Sequence, residues 1–312
     1  MVCLRKGSGL VLTLIITLMS HKVWAEIVVE DALGDVIRLP QPARRIVSLA
    51  PHNTENLFAA GAGDALVGTM RHSDYPPEAK KIPRIGDHTG LDLEAIVALK
   101  PDLILAWQSG NRTGDIERLR SLGFAVFVSE PRWLDDVAEE IESLGRLAGT
   151  YPVAHRFAER FRKRLQRLRH RHAGASPVRI FYEIWHRPLM TINGEQLISQ
   201  AITLCGGRNI FAHLPVLAPA IDLEAVLAAD PDAIITSARD PGRDEQWRRE
   251  WSRWSGLRAV TLDNLFFIPP DLLQRQGPRI LDGVDHLCGV IAAARRNLEH
   301  LSATKQEKPR HP

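Results

Sequence analysis

Short apolar runs of strand length alternate along the chain with segments that carry apolar residues at helical spacing. The strand-length runs are Ile46–Leu49, Ala125–Val128, Ile180–Ile184 and Leu265–Ile268. The helical patterns between them are Glu55–Ala60, Ile116–Leu122, Leu134–Leu147, Gln196–Cys205 and Ile280–Arg296. Because wholly apolar strands need cover on both faces, their alternation with helices predicts an α/β fold with parallel sheets.

One pattern of helix and strand occurs twice in the chain. Segments 91–106 and 221–236 both contain Asp-Leu-Glu-Ala followed by Pro-Asp and an apolar run. Each copy predicts a short helix that begins at an aspartate and ends before a proline, followed by a buried strand. The aspartates are Asp92 and Asp222, and the prolines are Pro101 and Pro231. A period this long excludes a solenoid and predicts two Rossmann-like lobes of related architecture.

A long helical segment lies between the two halves. Residues 151–172 contain no glycine, and no proline after Pro152, which predicts a rigid helix of roughly 30 Å that joins the lobes. The segment carries eight Lys or Arg and one Glu. This charge leaves contact with anionic lipid or nucleic acid open, but a solvated surface helix is the interpretation we prefer. The expected boundaries are 26–148 for the first lobe, 149–174 for the linking helix, 175–297 for the second lobe and 298–312 for a disordered tail.

The first 25 residues have the features of a secretory signal peptide. Arg5 and Lys6 precede the apolar run Leu10–Met19, which is too short to span a bilayer, and Ala25 ends a small-residue cleavage site. Removing the three basic residues of this segment leaves 37 lysines and arginines against 37 acidic residues. The balanced charge removes the electrostatic argument for a nucleic-acid partner.

Two cysteines remain after the signal peptide. Cys205 and Cys288 form one possible pair, and export favours a disulfide between them over two buried free thiols.

Aromatic, imidazole and charged side chains follow several of the predicted strands. In parallel sheets, ligands bind beyond the carboxyl ends of the strands. The residues concerned are His72, His88 and Trp107 in the first half and Trp185, His186, Asp271 and Arg275 in the second. We therefore expect a cleft between the lobes, lined by flat faces and a few polar groups, that suits a large ring-bearing ligand.

Catalytic and nucleotide-binding motifs are absent. The sequence contains no Gly-x-Ser-x-Gly, His-Glu-x-x-His, Gly-x-x-x-x-Gly-Lys or strand-linked Gly-x-Gly-x-x-Gly. The histidines are spaced too widely for a local zinc motif, so we expect neither an enzyme nor a bare metal site. An exported metal-dependent hydrolase stays as a less favoured alternative.

The chain resembles the periplasmic cobalamin-binding proteins of ABC importers, within the wider class that carries haem and ferric siderophores. The resembling segments are Arg45–Pro51, Asn53–Glu55, Ser73–Pro77, Leu93–Trp107, Cys205–Gly207, Asn209–Phe211 and Gly277–Ile280. The resemblance implies two α/β lobes bridged by one long helix, with little opening between empty and loaded forms. It also places the family's disulfide on Cys205 and Cys288 and its two permease-docking acids on Glu94 and Glu224.

The ligand-binding positions of that family are matched in part. Trp107 matches a family aromatic residue, and Asp271 and Arg275 match polar pocket positions. A tyrosine and a tryptophan of the family are His72 and His88 here. A second-lobe phenylalanine is Met190, another tryptophan is Ala218, and Trp185 with His186 is expected to compensate. His72, His88 and His186 are candidate axial ligands to the metal of a bound macrocycle.

These observations predict a soluble periplasmic carrier that captures a corrinoid, cobalamin or a precursor, and delivers it to an ABC permease. A haem or ferric-siderophore carrier is the alternative. We expect the corrinoid as transported ligand with no catalytic cofactor, no nucleic-acid partner, membrane contact only through the permease, and a monomer.

Overall fold

The computed structural model describes residues 26–87, 89–237 and 241–307. The predicted signal peptide therefore lies outside the described residues, as does His88. Among the described residues, no helix combines the length and the apolar character that crossing a membrane requires.

The first lobe contains a four-stranded parallel sheet, two small antiparallel pairs and four α-helices. In chain order its elements are β1 (Ile27–Glu30), β2 (Val36–Leu39), β3 (Ile46–Ser48), α1 (Pro51–Ala59), β4 (Leu66–Thr69), β5 (Gly86–Asp87), β6 (Gly90–Leu91), α2 (Leu93–Ala98), β7 (Leu103–Trp107), α3 (Thr113–Ser121), β8 (Val126–Ser129) and α4 (Asp136–Ala148). The sheet order is β4-β3-β7-β8, and every pairing in it is parallel.

The second lobe repeats this architecture after the linking helix α5 (Tyr151–His172), whose bounds match the predicted segment. Its elements are β9 (Val178–Glu183), α6 (Leu197–Leu204), β10 (Gly207–Asn209), α7 (Leu223–Ala229), β11 (Ala233–Ser237), α8 (Pro241–Ser252), α9 (Arg258–Thr261), β12 (Leu265–Ile268), α10 (Pro270–Leu273) and α11 (Ile280–Glu307). The sheet order is β10-β9-β11-β12, again parallel throughout. The two parallel sheets confirm the predicted α/β class.

The internal repeat corresponds to α2 with β7 and to α7 with β11. The Asp92 side chain accepts a hydrogen bond from the Ala95 amide at 2.9 Å, as an N-cap does. Asp222 occupies the equivalent place, but its side chain makes no capping hydrogen bond. The predicted cap is therefore confirmed at Asp92 and wrong at Asp222, where the helix begins with its first amides uncapped by that carboxylate.

Alternate residues of the central strands point to opposite faces of each sheet, which divides the core into three clusters. The first cluster runs through both lobes under α1, α4, α5, α6 and α11. The second lies under α2 and α3, and the third under α7, α8 and α9. Helix α5 is therefore on one face of the sheets, and α2 and α7 are on the other.

Helix α11 is longer than the sequence pattern predicts. It continues to Glu307, through part of the segment from residue 298 in which a disordered tail is expected. The extension is anchored: the Asn297 side chain donates to Asn264 Oδ1 at 2.8 Å, and Leu298 packs against the first core cluster. Residues 308–312 lie outside the described part of the chain.

The predicted disulfide is present. Cys205, at the end of α6, is bonded to Cys288 of α11 with a Cα–Cα distance of 4.7 Å. The bond joins two helices of the second lobe across 83 positions of sequence.

Candidate functional site

The loops that follow the strands of the two sheets meet between the lobes. Arg275, seven residues after β12, reaches the first-lobe residues Glu55 of α1 and Asp74 after β4. The carboxyl ends of the parallel strands are where such folds bind ligands. The space between these loops is therefore the candidate site, in agreement with the predicted cleft.

Five charged side chains bridge the lobes, and we call them the inter-lobe ion cluster: Glu55, Asp74, Asp271, Arg275 and Arg279. Arg275 Nη1 lies 2.9 Å from Glu55 Oε1 and 2.8 Å from Asp74 Oδ1, and its Nη2 lies 3.1 Å from Asp271 Oδ1. Arg279 adds two hydrogen bonds to Glu55, at 2.8 and 2.7 Å. Arg275 and Glu55 are buried, with 7% and 1% of their surface exposed.

The environment of Arg275 keeps it charged. Burial acts to lower the pKa of its guanidinium, but hydrogen bonds to Asp74 and Glu55 and nearby carboxylates outweigh it, and the pKa is raised. Both terminal nitrogens of Arg275 already donate to oxygens of the protein. Arg275, predicted as a ligand-binding residue, thus holds the two lobes together, and Asp271, predicted likewise, pairs with it from within the second lobe.

His72 and Trp107 line one pocket of about 180 Å³ on the first-lobe side of the cleft. His72 adopts the left-handed backbone conformation, with φ of 69°, and its carbonyl accepts a hydrogen bond from Arg275 at 3.0 Å. A non-glycine residue pays roughly 1 kcal/mol in that conformation. The ion cluster therefore contributes to holding the His72 loop at the pocket.

The Trp107 ring is held on several sides. The backbone amide of Trp107 donates to the Asn111 side chain at 2.7 Å. The indole ring packs edge-to-face with the His52 ring at a centroid distance of 5.1 Å. A Cβ atom at Gly110 would lie 1.7 Å from the ring, so only glycine fits beside it. The position of this aromatic face is thus fixed before any ligand arrives.

A network of hydrogen bonds between buried polar side chains lies behind this pocket. The Ser129 hydroxyl donates to Glu140 Oε2 at 2.6 Å and lies 3.2 Å from His52 Nε2, and the Asn56 amide donates to Glu140 Oε1 at 2.8 Å. Burial raises the pKa of Glu140 to about 7. Burial, with a smaller effect of Arg275, lowers the pKa of His52 to about 3.

The hydrogen-bonded side chains of Ser129, His52 and Glu140 do not have the geometry of a nucleophilic triad. In such triads the carboxylate orients the histidine, whereas Glu140 here accepts from the serine. Ser129 and His52 are also buried, with 1% and 2% of their surface exposed. No sequence motif predicted this set of buried polar side chains; the polar run His52–Asn56 directly after a strand is the signal that could have indicated it.

Trp185 and His186 lie on the loop after β9 in the second lobe. Trp185 is 61% exposed, and its indole donates to the Arg187 carbonyl at 2.9 Å. His186 Nδ1 lies 2.8 Å from Glu183, and its Nε2 contacts Glu250. The hydrogen bond to Glu183 is the main reason that the pKa of His186 is raised.

Because both ring nitrogens of His186 face carboxylates, neither offers a free lone pair to a metal in this arrangement. Both nitrogens are engaged within the protein, and the role of His186 as an axial ligand stays a prediction. The residue fastens the β9 loop to α8, which carries Glu250. Trp185 is thereby held close to Met190, whose amide donates to the Trp185 carbonyl at 2.8 Å.

A larger cavity, of about 830 Å³, lies beside α5 between the lobes. It is lined by Trp133 and Leu134 from the first lobe and by Gln200, Arg208 and His213 from the second. None of the predicted ligand residues lines it, and no sequence motif indicated it. Size alone does not make it the site, because the aromatic and charged groups discussed above lie elsewhere.

Glu94 and Glu224 occupy equivalent positions in the repeat. Each lies in the first turn of its helix, α2 or α7, and each is exposed. Each of these helices packs on the face of its own sheet that is opposite to the first core cluster, in which α5 is buried.

Two parallel-sheet lobes that are joined by one long helix and enclose a cleft define a class of two-lobed ligand-binding proteins. The chain belongs to the periplasmic binding protein family, whose model matches residues 46–272. This result confirms the resemblance and the fold expected from the sequence.

Two similar proteins carry the same description. The chain is 40% identical over 257 residues to the vitamin B12-binding protein of Vibrio cholerae serotype O1, covering 82% of this chain and 92% of that protein. It is 37% identical over 262 residues to the vitamin B12-binding protein of Yersinia pestis (strain Pestoides F), covering 84% and 91%.

Solved structures agree. The crystal structure of the periplasmic vitamin B12 binding protein BtuF of Vibrio cholerae matches with a TM-score of 0.76 at 40% identity, over 81% of this chain and 98% of that chain. A periplasmic haem-binding protein from Pseudomonas aeruginosa matches with a TM-score of 0.69 at 23% identity, over 79% and 91%. The second likeness is one of fold alone.

The buried position of Glu140 predicts how the stability of the protein depends on pH. Between about pH 4.5, the ordinary pKa of a glutamate, and pH 7, folded Glu140 holds a proton that the unfolded chain has released. Its contribution therefore reduces stability as the pH rises through this range, by about 3 kcal/mol in total. Glu140→Gln removes this loss. The free energy of unfolding of the variant, measured with urea, should therefore increase relative to that of the wild type as the pH rises from about 4.5 to 7.

His52 acts in the opposite direction, because its lowered pKa makes stability rise with pH between about 3 and 6.5. The comparison with wild type at each pH cancels this contribution. Glu139→Gln, which changes an exposed neighbour on α4, is the matched control for loss of a glutamate from this helix. A difference between Glu140→Gln and wild type that does not change with pH would show that Glu140 titrates normally.

Proposed function

We propose that the chain is a periplasmic substrate-binding protein that captures a corrinoid, cobalamin or a precursor, and delivers it to an ABC permease. The observation that carries the proposal is a fixed tryptophan face at the inter-lobe cleft of a chain that is 40% identical to a vitamin B12-binding protein over 92% of that protein. The corrinoid is the transported ligand, with no catalytic role for any residue and no catalytic cofactor.

The dimensions of the site suggest how such a ligand is shared between the lobes. The pocket at Trp107 and His72 measures about 180 Å³, below the roughly 300–1,000 Å³ of sites that enclose a drug-sized ligand. One face of a macrocycle would therefore contact the first lobe, and the second lobe would cover the other face. Trp185 is the exposed aromatic side chain of the second lobe that could contact it. The amide side groups of the macrocycle would meet Asp271, whose side chain is 32% exposed and is positioned by the buried Arg275.

The histidines give the site a chemistry that an apolar stacking residue lacks. We propose that His72 and His88 contact the ring edge or the metal of the ligand, and that His186 acts by holding the loop of Trp185. Imidazole also ligates haem iron, so a haem carrier is the second candidate.

Titration of purified protein with cyanocobalamin, cobinamide and haemin tests the proposal. We expect corrinoid binding, weakened about tenfold or more by Trp107→Ala because an aromatic face of about 150–250 Å² is lost. Trp254→Ala removes a 40% exposed tryptophan outside the cleft and should leave the affinity unchanged.

Failure of the wild type to bind either corrinoid would contradict the proposal. Haemin binding alone, with a Soret band that His72→Ala abolishes, would assign the site to haem. Stoichiometric zinc in the purified protein together with hydrolytic activity would support the metal-dependent hydrolase.

Delivery involves a different surface, and we propose that Glu94 and Glu224 pair with cationic residues of the permease. The combined substitutions Glu94→Ala and Glu224→Ala should leave corrinoid affinity unchanged and reduce cellular corrinoid uptake. Glu117→Ala with Glu245→Ala removes two other exposed acids and should leave both unchanged. Normal uptake by the Glu94 and Glu224 variant would refute the docking assignment.

A further inference from the structure

The outward face of α5 carries a line of cations, which we call the α5 basic stripe: Arg156, Arg160, Lys163 and Arg167. Their spacing of four, three and four residues places them on one face of the helix over about 17 Å. All four are exposed. The opposite face is buried in the first core cluster through Ala154, Ala158, Phe161, Leu165 and Leu168.

The remaining arginines in the middle of α5 behave differently, because they form ion pairs within the protein. Arg162 pairs with Glu142 at 2.6 Å, Arg164 with Asp285 at 2.6 Å, and Arg169 with Asp135. In contrast, none of the stripe residues makes an ion pair with any carboxylate of the described residues. The structure thus separates arginines that fasten α5 through ion pairs from a row of exposed cations without them, of which Arg160 lies 5.7 Å from the centroid of the Phe157 ring.

Little negative charge lies near the stripe on its own helix. Glu159 is the only acid of α5, and it lies at the margin of this face with its carboxylate directed to His155, 4.0 Å away. Asp285 of α11 lies 3.5 Å from Arg171, one turn beyond the stripe. The four charges therefore form a fixed positive line on a helix that packing keeps rigid.

Helix α5 does not belong to the surface that we propose for docking to the permease. Helix α5 packs on the first core cluster, whereas α2 and α7, which carry Glu94 and Glu224, pack on the opposite faces of the sheets. The basic stripe needs a partner other than the one that those acids would meet.

We infer that the α5 basic stripe binds the surface of an anionic phospholipid bilayer. A straight row of fixed cations on a convex helix matches a plane of negative headgroups. Val153, an apolar side chain that is 42% exposed on the same face at the start of the helix, suits the interface beside it. Each Lys or Arg close to such a surface strengthens binding about fivefold, and salt weakens the effect.

This contact adds to the sequence expectation, in which the membrane is met only through the permease. It does not depend on the ligand of the cleft. Helix α5 packs on the sheet faces opposite to those that α2 and α7 cover, so this contact does not use the helices of Glu94 and Glu224.

Co-sedimentation with vesicles tests the inference, using full-length protein recovered from the periplasm. The stripe variant combines Arg156→Gln, Arg160→Gln, Lys163→Gln and Arg167→Gln. The control variant combines Lys80→Gln, Lys81→Gln, Arg118→Gln and Arg253→Gln, four exposed cations outside α5. We expect wild type and control to bind phosphatidylglycerol vesicles, and the stripe variant to lose at least about tenfold in affinity.

Vesicles of phosphatidylcholine should bind none of the three proteins, and raising the salt should release the bound ones. The inference is overturned if the wild type does not bind anionic vesicles, or if stripe and control variants lose affinity equally. Stripe-dependent binding to duplex DNA without vesicle binding would also overturn it. Unchanged thermal unfolding and corrinoid titration of the stripe variant establish that the loss is not one of folding.

Discussion

The buried ion pairs of Glu55 with Arg275 and Arg279 are the constraint on which the rest of the site depends. They join residues more than 200 positions apart, from the first helix of one lobe to the loop after the last strand of the other. Charges buried in this way are costly to leave unpaired, with a penalty of about 3–5 kcal/mol when one partner is removed. The lobes are thus held at one separation by the ion cluster and by α5.

This arrangement has consequences for the cleft. The same Arg275 that holds Glu55 donates to the carbonyl of His72, and Asn56, next to Glu55, donates to Glu140 behind Trp107. The pocket wall, the lobe contact and the network of buried polar side chains are therefore parts of one connected structure. A site built in this way accepts a ligand with little rearrangement, in keeping with the rigid carrier that the family resemblance implies.

Local patterns in the sequence were sufficient for the elements and the architecture. Helix α5 matches its predicted bounds because its amphipathic pattern is long and uninterrupted, and the repeat correctly paired α2–β7 with α7–β11. The contacts within the site could not be predicted in this way, because they join distant segments. No local sequence pattern shows that the guanidinium of Arg275 pairs with Glu55 and Asp74. Nor does one show that the carboxylate of Glu250 contacts Nε2 of His186.

The most direct test of this account is a distance between the lobes, measured by double electron–electron resonance. Spin labels on Arg118→Cys in α3 and Arg253→Cys after α8 report the separation, and Cys205 and Cys288 stay bonded to each other. The account predicts one narrow distance, the same with and without cyanocobalamin, that broadens when Glu55→Gln is added. A broad distribution in the otherwise unaltered chain, or a narrow one that Glu55→Gln leaves unchanged, would contradict it.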